Sequence, residues 1–168
     1  MDKSQSSRLG TYWDGVSQSL PAFLNSPSTL YYLECEKMLL ETQFPALRDK
    51  KILKTDLWDE AKNSQILFWA ADQGAEITGI DISLKIAREA KNLFPRHGQA
   101  RAKAGFIVSD LRSLAVADKT FDYVYSMGTI EHFAEYAQAL QECHRVLKKG
   151  GLAVIGVPNK WDPFLRPL

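Results

Sequence analysis

AEITGIDIS, residues 75–83, predicts a short buried strand that ends on Asp81 and is followed at once by a helix. Its apolar and β-branched run is typical of a parallel strand covered on both faces. Ser83 suits the N-cap of a helix over 84–94 that stops at Pro95. A carboxylate at the end of such a strand can accept hydrogen bonds from both hydroxyls of a ribose. The alternative is an aspartate that only caps the helix, and the stretch alone does not decide between them.

Four further segments predict strands, and two apolar segments between them have helical spacing. The strand segments are 51–56, 106–108, 121–125 and 152–157. The helical segments are 66–74 and 133–147, the second closed by Lys148, Lys149 and Gly150. Strands that alternate with helices indicate an α/β fold. We therefore expect a Rossmann-like three-layer sandwich with a mainly parallel sheet of about five strands.

The chain before the sheet predicts a helical segment over residues 1–47, distinct from an α/β domain over 48–168. Residues 1–10 are polar and predict a loose start, followed by a helix over 12–20. A second helix is marked by Ser26 as N-cap and Pro27 at its first position. These helices serve either as a lid over a site or as structural cover, and the sequence leaves both open.

Composition places the chain among ordinary globular proteins. It has 168 residues, 45% of them hydrophobic, and a formal charge of +1, which argues against a nucleic-acid partner. No run of 18 apolar residues predicts a membrane span, and the start lacks a signal-peptide core, so we expect a cytoplasmic protein. Cys35 and Cys143 lie far apart in sequence, and no metal site is expected.

Three aspartates close predicted strands: Asp56, Asp81 and Asp110. The carboxyl ends of parallel strands share one edge of the sheet, and ligands bind outside that edge where the strand order reverses. We therefore expect the three side chains to lie near one another around a ligand. Their convergence does not name the ligand.

Residues 51–159 resemble the class I S-adenosylmethionine-dependent methyltransferases that act on small molecules. The resemblance rests on five segments in the family's order, which are GAEITGIDIS (74–83), SDLRSL (109–114), FDYVYSMGTIEHF (121–133), ALQECHRVLKKGG (139–151) and LAVIGVPN (152–159). The order of these segments is harder to obtain by chance than any one of them. The resemblance implies S-adenosylmethionine as cofactor and a small-molecule acceptor.

The resemblance also implies roles for particular residues. Asp81 would bind the cofactor ribose, and Asp110 with the backbone of Leu111 would meet the adenine. The full set of cofactor-binding candidates is Asp56, Asp59, Asp81, Ile82, Asp110, Leu111 and Ser126. His132 is the candidate base, because histidine exchanges a proton near neutral pH, and Glu131 would orient it or bind substrate. The alternative is that both residues only begin the next helix.

Two departures from the family pattern bear on function. The first loop, KTDLWDEAKNS at 54–64, has no glycine where the backbone should approach the cofactor closely. Cofactor binding could then be lost, so the alternative function is a non-catalytic binding or scaffold protein. The missing glycines also argue against a nicotinamide-dependent oxidoreductase.

The second departure follows the fifth predicted strand. PNKWDPFLRPL, residues 158–168, contains three prolines and cannot supply the family's last antiparallel hairpin. We therefore expect a truncated domain with an open strand edge, which could pair with a second copy in a homodimer.

Overall fold

A computed structural model describes residues 3–94 and 103–159. The helices are α1 (Lys3–Ser19), α2 (Pro27–Gln43), α3 (Trp58–Lys62), α4 (Ile66–Asp72), α5 (Leu84–Leu93) and α6 (Tyr136–Val146). The strands are β1 (Lys51–Lys54), β2 (Glu76–Asp81), β3 (Ala104–Val108), β4 (Phe121–Met127) and β5 (Leu147–Gly156). A 3-10 turn, Ile130–His132, follows β4. In the described part of the chain, no helix is long and apolar enough to cross a membrane.

The five strands form one sheet in the order β3-β2-β1-β4-β5, and each neighbouring pair is parallel. The predicted α/β fold is therefore confirmed. Successive connections run outward from β1 to β2 and β3, and then return across β1 to β4 and β5. The strand order thus reverses between β1 and β4, which is where doubly wound sheets bind ligands.

Apolar side chains cover the sheet on both faces. Along β1 and β2, Ile52 and Ile77 enter one apolar cluster, whereas Leu53 and Ile80 enter the other. This alternation is the period-two pattern of a strand. The first cluster also takes residues of α2, so this helix packs onto the sheet. The boundary predicted near residue 47 stays a prediction.

The prediction of a loose start is wrong, because α1 begins at Lys3 and lies against the carboxyl edge of the sheet. The Ser6 hydroxyl donates to the Asp110 carboxylate at 2.8 Å. Gly10 lets the helix approach the backbone closely, since a Cβ at this position would lie 2.8 Å from the carbonyl oxygen of Ile82. These contacts come from distant parts of the sequence and leave no local periodic signal.

Two segments also differ from prediction. The segment predicted as a loop after β1 forms the short helix α3. The helix expected to continue to Leu147 ends at Val146, and Leu147 already pairs with Phe121 in the sheet. Lys148 then binds Asp122 at 2.8 Å, so the lysines predicted as a helix end extend a strand instead. Pro95, predicted to stop α5, and the tail 160–168 lie outside the described residues.

Candidate functional site

A cavity of about 480 Å³ opens at the carboxyl edge where the strand order reverses. Its volume falls in the range of about 300–1,000 Å³ that is typical of small-molecule sites. It is lined by Trp13, Tyr32, Thr55, Asp56, Trp58, Asp59, Asn63, Asp81, Ile82, Ile86, Ser109, Leu111, Met127, Gly128, Thr129, His132 and Phe133. The lining residues come from the strand ends, from the loop after β1 and from helices α1 and α2. The N-terminal helices and the α/β segment therefore build the site together.

Asp81 lies on this wall at the end of β2. Its two carboxylate oxygens accept the backbone N–H of Leu57 at 2.9 Å and that of Ser83 at 2.8 Å. Burial raises the pKa of Asp81 to about 6, and the two N–H donors oppose that rise. Each oxygen keeps lone-pair capacity for a further donor, so the carboxylate can accept a pair of ligand hydroxyls.

The first loop contains no glycine, yet it does not block the cavity, because the side chain of Leu57 points away from it. Leu57 is fully buried in the apolar core rather than in the cavity. Its side chain fills the space above Gly79, where a Cβ would collide with it. Trp58 and the predicted Asp59 do line the cavity, yet they stand on its wall and do not fill it.

Behind the wall, Lys54 is fully buried at the end of β1. Its ammonium group contacts three carboxylates: Asp56 at 2.9 Å, Asp59 at 3.1 Å and Glu60 at 3.2 Å. Burial alone would lower the pKa of Lys54, but the three acids hold it well above its usual value. Burial also raises the pKa of Glu60 to about 8, against the opposing effect of Lys54.

A fourth carboxylate reaches the same region from α2. Glu36 accepts the Tyr125 hydroxyl at 2.6 Å and the Ser64 hydroxyl at 2.5 Å. Burial raises the pKa of Glu36 to about 7, and the nearby charge of Asp59 adds to the rise. Neither Glu36 nor Lys54 was predicted from the sequence as a site residue. A lysine beside the apolar pair of β1 was the available signal, but nothing local showed that its partners were acids.

The predicted residues divide between this cavity and other places. Ile82 and Leu111 line the cavity. Asp110 does not line it, but faces a second cavity of about 330 Å³ under α1. The side chain of Arg112 contacts both oxygens of Asp110, at 3.0 and 2.8 Å. Although burial would raise the pKa of Asp110, these bonds hold it below its usual value. Ser126 is fully buried and bonds to Thr55 at 2.7 Å, away from the cavity surface.

Glu131 and His132 lie in the 3-10 turn after β4 rather than in the first turn of α6. The His132 ring lines the cavity and meets the Trp13 ring edge-on, with centroids 5.0 Å apart. Glu131 is exposed and lies outside the cavity wall, and in the described part of the chain no hydrogen bond joins it to His132. Trp13 of α1 and Tyr32 of α2, which complete the wall, were also missed by the sequence analysis.

The chain is similar in sequence to known methyltransferases. A model of the family described as "Methyltransferase domain" matches residues 61–155, which is more than half of the chain and begins near the end of the first loop. A malonyl-[acyl-carrier protein] O-methyltransferase of Pseudescherichia vulneris is 32% identical over 84 residues, covering 50% of this chain and 30% of that protein. A 2-methyl-6-phytyl-1,4-hydroquinone methyltransferase of Synechocystis is 35% identical over 106 residues, covering 63% and 31%.

Among solved structures, the PH0226 protein of Pyrococcus horikoshii OT3 superposes with a TM-score of 0.67 at 30% identity, over 80% of this chain and 60% of that one. The chain thus spans about 30% of the length of these two curated relatives. The family match and the five-stranded fold agree with the resemblance of the motifs. The chain therefore belongs to the methyltransferase-domain family, within the class I S-adenosylmethionine-dependent methyltransferases.

Proposed function

We propose that this chain binds S-adenosylmethionine in the 480 Å³ cavity and transfers its methyl group to a small-molecule acceptor. The observation that carries the proposal is the position of Asp81. Its carboxylate stands at the end of β2, beside the switch point of the sheet, with both oxygens fixed by backbone N–H groups. A carboxylate so oriented suits the two hydroxyls of a ribose.

Other wall residues have complementary tasks in this proposal. Ile82 and Leu111 supply apolar surface to the cavity wall, suited to a flat base such as adenine. Asp56 and Asp59 suit the ammonium group at the other end of the cofactor, because they are the wall carboxylates on the first loop. Asp110 would support this region indirectly, since its carboxylate already accepts Arg112 and Ser6.

When bound, the cofactor supplies a methyl group on a sulfonium: the acceptor's lone pair forms a bond to the methyl carbon, while the carbon–sulfur bond breaks and its electron pair stays on sulfur. The residues of the chain contribute mainly by positioning, which is worth about 7–11 kcal/mol in well-oriented reactions. His132 lies on the wall and would take the proton of a hydroxyl or amine acceptor. Glu131 lies outside that wall and would touch only an acceptor that extends beyond it.

The acceptor is proposed only as a class. The names of the two relatives specify a malonyl-[acyl-carrier protein] and a phytyl hydroquinone as the groups those proteins act on. Both names are compatible with an acceptor group of small size, and neither group is assigned to this chain.

Calorimetric titration with S-adenosylhomocysteine, the reaction product, tests the proposal. We expect binding by the wild type, and a loss of roughly 1.5–3 kcal/mol in Asp81→Ala, because charge-assisted hydrogen bonds are removed. Asp72→Ala is the control, since Asp72 is exposed at the end of α4 and does not line the cavity.

Equal affinity in Asp81→Ala and wild type would show that the ribose assignment is wrong. No heat from the folded wild-type protein at millimolar ligand would instead support the alternative function, a binding protein that does not use this cofactor.

A further inference from the structure

The cavity wall is negatively charged. It carries the carboxylates of Asp56, Asp59 and Asp81, and neither lysine nor arginine occurs among its lining residues in the described part of the chain. S-adenosylmethionine brings one net positive charge, and the buried Lys54 brings another. The carboxyl groups of the wall therefore outnumber the positive charges that the cofactor and Lys54 bring.

Two cations that contact wall residues are already engaged. Lys54 is fully buried and contacts three carboxylates within 3.2 Å. Arg112 lies behind Phe133, with its guanidinium carbon 5.0 Å from the ring centroid, and binds Asp110 and Glu135. Neither group is free to pair with an anionic ligand in the cavity.

The same wall is rich in aromatic rings that come from separate elements. Trp13 lies on α1, Tyr32 on α2, Trp58 on α3 and Phe133 after the 3-10 turn. Aromatic rings stack on flat ligands and attract cations over their faces. A wall of rings and carboxylates therefore favours a ring-bearing ligand that carries no negative charge.

We infer that the methyl acceptor of this site is a ring-bearing molecule that is uncharged or cationic, and that carboxylates and phosphates are rejected. The inference rests on the proposed function, since it assigns the part of the cavity that the cofactor leaves free. An anionic acceptor would add a negative charge beside a wall that has carboxylates but, among the described residues, no free lysine or arginine, which costs affinity and selects against it. Of the two kinds of acceptor named for the relatives, the hydroquinone kind fits this wall and the malonyl kind does not.

Three phenols of matched shape test the charge rule. 4-Hydroxybenzamide is neutral, 4-hydroxybenzoate is its anionic counterpart, and 4-hydroxybenzylamine is a cation at neutral pH. Each is titrated into the protein with and without saturating S-adenosylhomocysteine. We expect the amide and the amine to bind at least tenfold more tightly than the benzoate in both states.

Substitutions test which side chains cause the preference for the amide over the benzoate. Asp59→Asn removes one wall charge with little change of shape, and should bring the affinities of amide and benzoate at least threefold closer. Asp72→Asn, at an exposed acid outside the cavity, should leave their ratio unchanged. Trp13→Leu should weaken binding of the amide at least fivefold, whereas Tyr12→Leu, at the exposed neighbouring ring, should not.

The outcomes separate this inference from the proposed function. If the protein binds S-adenosylhomocysteine but binds the benzoate as tightly as the amide, the acceptor class is wrong and the cofactor assignment stands. If none of the three phenols binds, the acceptor class is likewise wrong. If the order of the phenols holds but S-adenosylhomocysteine does not bind, the charge rule stands and the methyltransferase proposal fails.

Discussion

Asp81 joins the fold to the proposed chemistry, because the same carboxylate fixes the first loop and faces the cavity. Its pKa of about 6 lies above the ordinary 3.8 because the group is buried. Between these values the folded state holds more protons than the unfolded state, so this group's contribution to stability falls as pH rises from about 4 to 6.

Cofactor binding should follow the opposite course with pH. A ribose needs an ionised carboxylate as acceptor, so the affinity for S-adenosylhomocysteine should rise as pH increases through 6 and then level off. Below pH 6 the limiting change is about tenfold per pH unit for one ionising group. Titrations from pH 5 to 8 measure this, with Asp81→Asn as control, whose curve should be flat. A flat curve for the wild type would contradict the assigned role.

The buried acids around Lys54 should depend on its positive charge. In Lys54→Met the buried acids lose their cation, so the free energy of unfolding at pH 7.5 should fall by about 3–5 kcal/mol. At pH 5.5 the loss should be smaller, because Glu36, with a pKa of about 7, is then protonated, whereas Glu60, with a pKa of about 8, is largely protonated at both pH values.

Lys51→Met is the matched control in the same strand. Lys51 is partly exposed and lies 3.5 Å from Glu76, so its loss should cost less than about 1 kcal/mol. Urea unfolding of both variants makes the comparison. Similar costs for the two lysines, or a larger loss for Lys54→Met at pH 5.5, would show that the buried cluster does not depend on its cation.

Asp81 could be predicted from the sequence as a site residue, whereas Lys54 could not. Asp81, Ile82, Leu111 and His132 follow strand ends, and the topology of parallel strands alone places them at one edge. Lys54 was unremarkable in sequence because its value depends on burial and on acids from the first loop. Glu36 was harder to predict, since it joins the buried acids only because α2 packs onto the sheet.

Among the elements, α1 is attached unlike the other helices of the described chain. Neither apolar cluster contains a residue of α1. The helix is held by polar contacts, in which Asp14 accepts the Ser83 hydroxyl and the Lys85 N–H, and by the contact of Trp13 with His132. An element with little buried apolar area opens at low free-energy cost. We therefore propose α1 as the lid that the sequence left undecided.

Two glycines of α1 provide a matched test of the lid. Both Gly10→Ala and Gly15→Ala should favour the helix by about 0.8–1 kcal/mol. A methyl group at Gly10 would lie 2.8 Å from the Ile82 carbonyl oxygen, whereas nothing lies within 4 Å at Gly15. Gly10→Ala should therefore lift α1, speed hydrogen exchange over residues 3–19 and accelerate release of S-adenosylhomocysteine. Gly15→Ala should do neither. Equal release rates in the two variants would exclude a lid role.

The junction of α6 and β5 shows why element boundaries escaped the sequence. The sequence Lys148, Lys149 and Gly150 is typical of the end of a helix. Pairing of Leu147 with Phe121 and the bond from Lys148 to Asp122 act from another strand and convert the segment to sheet. The order and type of the α/β elements were predictable because apolar periodicity is local.

The proposed homodimer depends on the outer side of β5. Within the described residues, β5 pairs only with β4, and Leu152 and Ile155 are each 40% exposed. Unpaired strand edges with apolar neighbours tend to pair with other chains. The homodimer expected from the sequence therefore remains a proposal.

Light scattering after size-exclusion chromatography tests it. We expect twice the chain mass of 18.9 kDa for the wild type. The double variant Leu152→Lys with Ile155→Lys should return one chain mass, because lysines on an edge discourage pairing. Met38→Lys, at an exposed apolar residue of α2, should leave the dimer intact. A wild-type monomer would contradict the proposal.

The contact between Leu57 and Gly79 has a consequence for how this sequence can drift over evolutionary time. A single methyl group at position 79 would expel the leucine side chain, and the N–H that Leu57 donates to Asp81 would move with it. Neither position can therefore change freely without the other. In lineages where position 79 has gained alanine, we expect position 57 to have become smaller than leucine, so that the two sites are inherited as a pair.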